Sequence, residues 1–310
     1  MTDILSERIT FNNGVQIPKM GFGTWQMSDE QAATAVRQAI EAGYRMIDTA
    51  AFYNCEKGVG QGIKDSGIDR EKLFVSTKVW PTYIHQGRTE EAYQDSLNRL
   101  GLEYLDLWLL HWPVNYIEGW KAMERIYQSD RVRAIGVSNM RIKQLLTLLD
   151  QTETIPACLQ IECNPLVSNY EIRAFCTYKG IAVGAWQSLG SGLKGEAMTN
   201  DVILDLAEKY ERTPAHILLR WAYQNNIITI PKTVTPSRMV ENTEILGFAL
   251  TDGDLERIGQ IRQLPRYDTE IADVPTRIIE QVNRGVCFAE KGYGGNLTVD
   301  YYQKPKDSEG

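Results

Sequence analysis

The sequence has little that would tie a chain together covalently. Its five cysteines, Cys55, Cys158, Cys163, Cys176 and Cys287, are odd in number and no two are spaced as C-x-x-C. That argues against a disulfide framework or a structural zinc site, and for reduced thiols in a reducing compartment. No run approaches the ~18 apolar residues that span a bilayer. The first residues, MTDILSERITF, carry acids and lack the apolar core of a signal peptide. The expected location is the cytoplasm, with no membrane partner. Basic runs are missing too: 33 basic against 40 acidic residues leave a net charge of −7. A nucleic-acid partner is therefore not expected, because its binders show a basic stripe. What is present, 43% apolar and 24% charged residues over 310 positions, is the make-up of an ordinary globular protein. That length fits two domains of ~150 residues or one α/β barrel of ~250 with additions.

The pattern along the chain decides between them. Arg8-Ile9-Thr10-Phe11 and Val15-Gln16-Ile17 flank Asn13-Gly14, a strong hairpin signal. Short apolar runs then begin near Met20, Met46, Leu73, Leu105, Val132, Cys158, Ile181 and Ile227. Amphipathic stretches lie between them. Asp29 to Ala42 has Ala32, Ala35, Val36 and Ala39 at helical spacing and Gly43 as a stop. Thr89 to Leu100 reads as a helix capped by Thr89 and ended by Gly101, and Glu171 to Tyr178 as one ended by Gly180. The long seventh interval holds helices over Asp201–Tyr210 and Pro214–Gln224, with Pro214 suited to a helix start. Two further helices are predicted near Ser237–Leu246 and Asp252–Arg262. Eight β-α units at steady spacing, without a linker, read as one parallel (β/α)8 barrel spanning 1–310. Residues 1–18 form a hairpin cap and 285–310 a C-terminal loop and tail over the barrel mouth. A doubly wound sheet is the alternative. Its best evidence would be Gly58-Val59-Gly60-Gln61-Gly62-Ile63. However, Ile63 stands where the fingerprint needs glycine, and the segment does not follow a strand directly.

Barrel enzymes place chemistry at the C-terminal ends of their strands. Those ends read Gly23-Thr24-Trp25; Asp48-Thr49, with Tyr53 in the loop; Lys78-Val79-Trp80; His111-Trp112-Pro113; Ser138-Asn139; Gln160, Glu162 and Asn164; Trp186-Gln187; and Lys232-Thr233. Each has a plain alternative: Asp48 as a helix cap, His111 as a core histidine, the tryptophans as packing. Lys78 is harder to explain away, since a lysine in an apolar strand is seldom buried without a charged partner. Asp48 can be that partner. A tyrosine beside a lysine ammonium has its phenolate favoured. A histidine in reach orients a polar oxygen. Together these four form a proton-donor site for a carbonyl oxygen. No nucleophile–base pair and no metal-ligand cluster is evident, so a separate hydride source is required. A barrel lysine acting as a Schiff-base nucleophile, as in an aldolase, is a rival reading, as is a non-catalytic regulatory or structural protein.

The motifs that surround these residues resemble the aldo-keto reductase superfamily, microbial type, over nearly the whole chain. They are Gly21-Phe22-Gly23-Thr24-Trp25; Ile47-Asp48-Thr49-Ala50-Ala51-Phe52-Tyr53 with Glu56; Thr77-Lys78-Val79-Trp80; Asp106-Leu107 to His111-Trp112-Pro113; Gly136-Val137-Ser138-Asn139; and Ile230 to Pro236 with Arg238, Glu241 and Asn242. The resemblance implies a (β/α)8 barrel with an N-terminal hairpin and two extra helices. It also implies NADPH-dependent reduction of aldehydes or ketones to alcohols, on small-molecule substrates, by a monomer or weak homo-oligomer. By the same resemblance Tyr53 is the general acid, Lys78 and Asp48 tune it, and His111 orients the carbonyl. Gly23, Thr24 and Asp48 lie near the nicotinamide ribose. Ser138, Asn139 and Gln160 meet the carboxamide, and Trp186, followed by Gln187, stacks on the ring. Leu189 and Ser191 cover the pyrophosphate. Lys232, Thr233 and Arg238 form the 2′-phosphate clamp, Val234 is a further cofactor contact, and Glu241 and Asn242 meet the adenine. Two cations there favour NADPH over NADH. Trp25, Trp80 and Trp112 are expected to wall the substrate pocket. The chain departs from the family at Leu159, at Cys163-Asn164 and at Trp186-Gln187-Ser188-Leu189. A tryptophan at 186 resembles microbial members that reduce diketo acids or small dicarbonyls.

Overall fold

A computed structural model of the chain describes residues 3–190 and 195–264. The predicted hairpin forms from β1 (Arg8–Thr10) and β2 (Gln16–Pro18), with Ile9 opposite Ile17. Eight strands then build one parallel sheet in sequence order: β3 (Phe22–Gly23), β4 (Met46–Asp48), β5 (Phe74–Val79), β6 (Leu107–Leu110), β7 (Ile135–Ser138), β8 (Cys158–Glu162), β9 (Ala182–Trp186) and β10 (Ile228–Thr229). The first and last meet. Gly21 N donates to Thr229 O at 2.8 Å, Thr229 N to Lys19 O at 2.9 Å and Gly23 N to Pro231 O at 3.1 Å. A Cβ on Gly23 would lie 2.8 Å from Ile230 O, so this glycine is required by the closing of the barrel.

The helices in chain order are α1 (Asp29–Glu41), α2 (Glu56–Ser66), α3 (Pro81–His85), α4 (Thr89–Leu100), α5 (Tyr116–Gln128), α6 (Ile142–Gln151), α7 (Tyr170–Lys179), α8 (Asp201–Lys209), α9 (Pro214–Gln224), α10 (Pro236–Glu241) and α11 (Asp252–Gly259). Ser28 caps α1 in a capping box with Gln31. Gly101 and Gly180, both left-handed, end α4 and α7 as expected. Thr89 is not a cap but the first residue of α4, and Arg88 stands at the cap position, its side chain donating to Glu91 in the first turn at 2.7 Å. The helix predicted to 246 stops at Glu241, because the next amides bond three residues back, Thr243 N to Val240 O and Glu244 N to Glu241 O. The helix predicted to 262 stops at Gly259.

Alternation along the strands sorts side chains into two layers. Ile47, Val75, Trp108, Ile135, Val137, Leu159 and Ile161 face outward and pack with the helices. Met46, Phe74, Leu107, Leu109, Cys158 and Ile228 form a separate inner cluster, which Phe11 and Ile17 of the hairpin close from below. Burying each large hydrophobe there is worth about 1.5–3 kcal/mol. Asn12 and Asn13 pin the hairpin by donating to Pro156 O and Arg133 O, each at 3.0 Å. The inward positions turn polar toward the opposite end: Asp48 follows Met46, Ser76 and Lys78 follow Phe74, and Gln160 follows Cys158. The barrel is thus sealed below and polar above, and the site can lie only at the upper end.

The glycine pattern in α2 has a packing cause. A Cβ on Gly58 would meet Asp29 O at 2.0 Å, one on Gly60 Leu100 O at 2.1 Å, and one on Gly62 Ala33 O at 2.6 Å. Three glycines on successive alternate positions let the backbones of α1 and α4 press against α2.

Candidate active site

Asp48 ends β4, Tyr53 ends the short 3-10 turn Ala51–Tyr53, Lys78 sits near the end of β5, and His111 directly follows β6. The parallel register places Asp48 beside Ser76 and Lys78 beside Leu109. Asn54, left-handed at φ 55°, turns the chain sharply after Tyr53. Glu56 then anchors the start of α2 by accepting from Thr77 Oγ1 at 2.6 Å and Arg99 Nε at 2.7 Å.

The four groups expected to act together do meet. Lys78 Nζ donates to Asp48 Oδ1 at 2.6 Å, to Thr49 O at 2.8 Å and to Tyr53 Oη at 3.3 Å. Its three protons therefore have three acceptors. The His111 ring lies edge-on to Tyr53 with centroids 5.9 Å apart. Lys78 is fully buried and burial pushes its ammonium down, although Asp48 pulls the other way. The expected lowering of Tyr53 is overturned. Burial, with the Asp48 charge and Cys55 behind it, raises its phenol well above the ordinary value. The Lys78 ammonium, 3.3 Å away and itself paired with Asp48, is outweighed by burial. A phenol that keeps its proton suits a proton donor. Burial and the Lys78 charge hold His111 well below the ordinary imidazole value, so the ring is neutral near pH 7 and its Nδ1 makes no hydrogen bond among the described residues.

The walls are aromatic. Phe52 stacks on Trp80 with centroids 3.9 Å apart and planes at 11°, and on Trp25 at 5.9 Å and 19°. Trp25 also meets the Tyr53 ring edge-on at 4.7 Å, and Trp112 lies nearly parallel to His111 at 6.2 Å. All three expected tryptophans thus reach the site. Phe52, in the middle of the stack, was not among the pocket residues read from sequence. Its signal was available: an aromatic next to Tyr53 in a strand-end loop.

The residues expected around a nicotinamide amide are held in unexpected ways. Ser138 Oγ donates to Gln160 O at 2.8 Å. Asn139, left-handed at φ 59°, donates to His111 O at 3.0 Å and accepts from Trp186 Nε1 at 3.0 Å. Gln160 Nε2 donates to Asp48 Oδ2 at 2.9 Å. Thr24 is buried and bonds through its hydroxyl to Asp48 O at 3.1 Å. Gln187 is left-handed at φ 52° and follows the half-buried Trp186. Leu189 packs against the outer core, and Ser191 lies outside the described residues, as does the tail 285–310. In the segment after β10, Lys232, Val234 and Arg238 are exposed while Thr233 and Asn242 are buried. Thr233 Oγ1 accepts from Thr235 N at 3.0 Å. Glu241 is drawn toward α9, where its Oε1 accepts from Thr213 Oγ1 at 3.0 Å. Leu159, a departure from the family pattern, points outward and touches none of this.

These features fit a dinucleotide phosphate: two exposed cations in the segment after β10, Lys232 in the loop and Arg238 in α10, a half-buried indole at the mouth, and amide groups at its centre. Comparison with known proteins agrees. The family model described as "Aldo/keto reductase family" matches residues 19–263. The chain is 39% identical to a glyoxal reductase of Bacillus subtilis (strain 168) over 266 residues, covering 85% of this chain and 95% of that protein. It is 40% identical to the methylglyoxal reductase DkgA of Escherichia coli (strain K12) over 259 residues, covering 82% and 93%. Among solved structures, an aldo/keto reductase from Brucella melitensis superposes with a TM-score of 0.79 at 38% identity, covering 84% and 98%. An aldo-keto reductase of Bombyx mori in complex with NADP gives a TM-score of 0.79 at 33% identity, covering 84% and 94%. Strand order, polar barrel end and these matches over most of its length agree that the chain belongs to the aldo/keto reductase family, oxidoreductases that reduce carbonyl groups with NADPH.

Proposed function

We propose that Tyr53, Lys78, Asp48 and His111 carry the reduction of a small aldehyde or dicarbonyl to an alcohol, as an alcohol dehydrogenase (NADP+) or carbonyl reductase does. The observation that carries this reading is the unbroken chain Asp48–Lys78–Tyr53, with contacts of 2.6 and 3.3 Å, at the open end of the barrel. NADPH, when bound, supplies the hydride. Ser138, Asn139, Gln160 and Trp186 would hold its nicotinamide, with Gly23, Thr24 and Asp48 near the ribose. Leu189 and Ser191 would lie over the pyrophosphate. Lys232, Thr233 and Arg238 would hold the 2′-phosphate, with Val234 a further cofactor contact, and Glu241 and Asn242 the adenine.

Tyr53 donates its proton to the carbonyl oxygen as that oxygen gains charge. Lys78 stabilises the phenolate left behind, and Asp48 keeps Lys78 in place. Neutral His111 offers a hydrogen bond to the same oxygen. Trp25, Phe52, Trp80 and Trp112 exclude water around it, which strengthens each of these interactions. The Schiff-base alternative finds no support in this arrangement: Lys78 is buried, and its protons are shared among Asp48, Thr49 O and Tyr53. Relatives named for glyoxal and methylglyoxal reduction favour small dicarbonyls as substrates. The whole chain is read as one barrel unit, cytoplasmic, acting as a monomer or weak homo-oligomer.

Tyr53→Phe is expected to keep NADPH binding and lower kcat with methylglyoxal at least ~100-fold, the scale of a lost general acid. Loss of absorbance at 340 nm measures it, and undiminished turnover would remove Tyr53 from the mechanism.

A further inference from the structure

The side chain of Gln160 reaches from β8 to Asp48 on β4, strands that are not neighbours in the sheet, and its Nε2 donates to Asp48 Oδ2 at 2.9 Å. The bond thus crosses the barrel interior. A carboxylate only accepts, so the amide must present its nitrogen there. Oε1 is left with no hydrogen-bond partner among the described residues. Asp48 is held by three donors from three positions: Lys78 Nζ on Oδ1 at 2.6 Å, and Ser76 Oγ and Gln160 Nε2 on Oδ2, each at 2.9 Å. One small amide therefore has one end on the group that positions the acid and the other end open.

We infer that Gln160 is a positioning residue that joins the cofactor's amide to the proton donor. Its Nε2 orients Asp48 and offsets part of its charge. Its Oε1 is the acceptor offered to a ligand amide N–H at the barrel mouth. The inference rests on Tyr53 being the acid. The groups facing Tyr53 are Lys78 at 3.3 Å, Asp48 behind it, Cys55 and the neutral His111 ring at 5.9 Å. Glu56, which also bears on Lys78, is matched by Arg99 at 2.7 Å. Asp48 is thus the full charge whose effect on Tyr53 Gln160 directly adjusts. With the Nε2–H dipole removed, the carboxylate acts more strongly on Tyr53 and makes it a weaker acid. Proton transfer then slows.

The test uses Gln160→Met, which keeps length without donor or acceptor, and Ser76→Ala, which removes the other donor to Oδ2. Three readings are taken on each: the solvent deuterium isotope effect on kcat, the Kd for NADPH by fluorescence quenching, and the melting temperature without cofactor. Both variants are expected to lose kcat about three- to tenfold, the worth of one hydrogen bond, with a larger solvent isotope effect. Only Gln160→Met is expected to raise the Kd for NADPH, by a similar factor. A raised Kd with an unchanged isotope effect would make Gln160 a cofactor contact alone and overturn the inference. A lower melting temperature with both other readings unmoved would make it a packing residue and overturn it equally. If Gln160→Met does not fold, Ser76→Ala decides: an unmoved isotope effect there shows that Tyr53 does not sense the donors on Asp48. Undiminished turnover in Tyr53→Phe overturns the acid assignment and the inference together. Lost turnover there, with both variants unmoved, overturns the inference alone.

Discussion

Replacing Lys78 with methionine separates the cost of an unpaired buried charge from the worth of the pair. The side chains of Lys78 and Asp48 are 1% and 2% exposed and their charged atoms lie 2.6 Å apart. At that distance the gross attraction is about 6 kcal/mol for an effective dielectric near 20. Desolvating two ions costs several kcal/mol each, so the intact pair adds little net stability. Removing one partner is different. Methionine fills the space of the lysine stem but leaves the Asp48 carboxylate buried with Ser76 and Gln160 as donors. An uncompensated buried charge costs about 3–5 kcal/mol, and those two donors place the expected value near the lower end. Asp48→Asn is milder, about 1–3 kcal/mol, because burial already pushes the Lys78 ammonium down and lets it shed its proton. The double variant carries no charge there, and its loss is expected to fall below the sum of the singles by about 1–3 kcal/mol. Urea unfolding of the cofactor-free protein at pH 7 measures all three, since bound ligand adds its own stabilisation. Unchanged m-values are required for the comparison. Singles that add to the double within about 0.5 kcal/mol would refute the pairing as an energetic unit.

Two further expectations concern parts away from the acid. Arg238 is exposed and its side chain has no hydrogen-bond partner among the described residues; Arg238→Ala should raise the KM for NADPH by about 1.5–3 kcal/mol, the worth of a charged hydrogen bond. The KM for NADH should hardly move, and equal effects on both would dismiss the clamp. Gly58→Ala sets a Cβ 2.0 Å from Asp29 O, an overpacking worth about 3 kcal/mol or more. Its melting temperature should fall by at least about 5 °C, and an unchanged one would mean that α1 and α2 can separate freely.

The barrel was legible because strand and helix periods differ and repeat. Runs beginning near Met46, Cys158 and Ile181 became β4, β8 and β9 within a residue or so. Pro214 began α9 as a missing N–H and a fixed φ allow. The cap at Thr89 was misread because a threonine ahead of two glutamates looks the same whether it stands at the cap or at the first helical turn. Of the four residues proposed to act together only Lys78 stood out alone, since a lysine in an apolar strand demands a partner; Asp48, Tyr53 and His111 were picked out only as a set. Partnerships across the barrel could not. The Gln160–Asp48 bond spans 112 residues, and nothing local in either strand announces it. Nor could the state of Tyr53 be read, because it depends on how fully Asp48 matches Lys78 and on how deeply the phenol is enclosed.

The seam between β3 and β10 has a bearing on local opening. The two strands each run for two residues, and they join through few hydrogen bonds, whereas β8 and β9 pair over five positions. The ring of strands thus has its shortest pairing at one place, and the backbone amides near Gly21 and Thr229 are expected to exchange sooner than those shared by β8 and β9. That place lies between Gly23-Thr24 on one side and Lys232-Thr233 on the other, the two segments proposed to grip opposite ends of NADPH. A dinucleotide bound across them as proposed would brace this seam from outside, so that ligation should slow the exchange of the amides that join it.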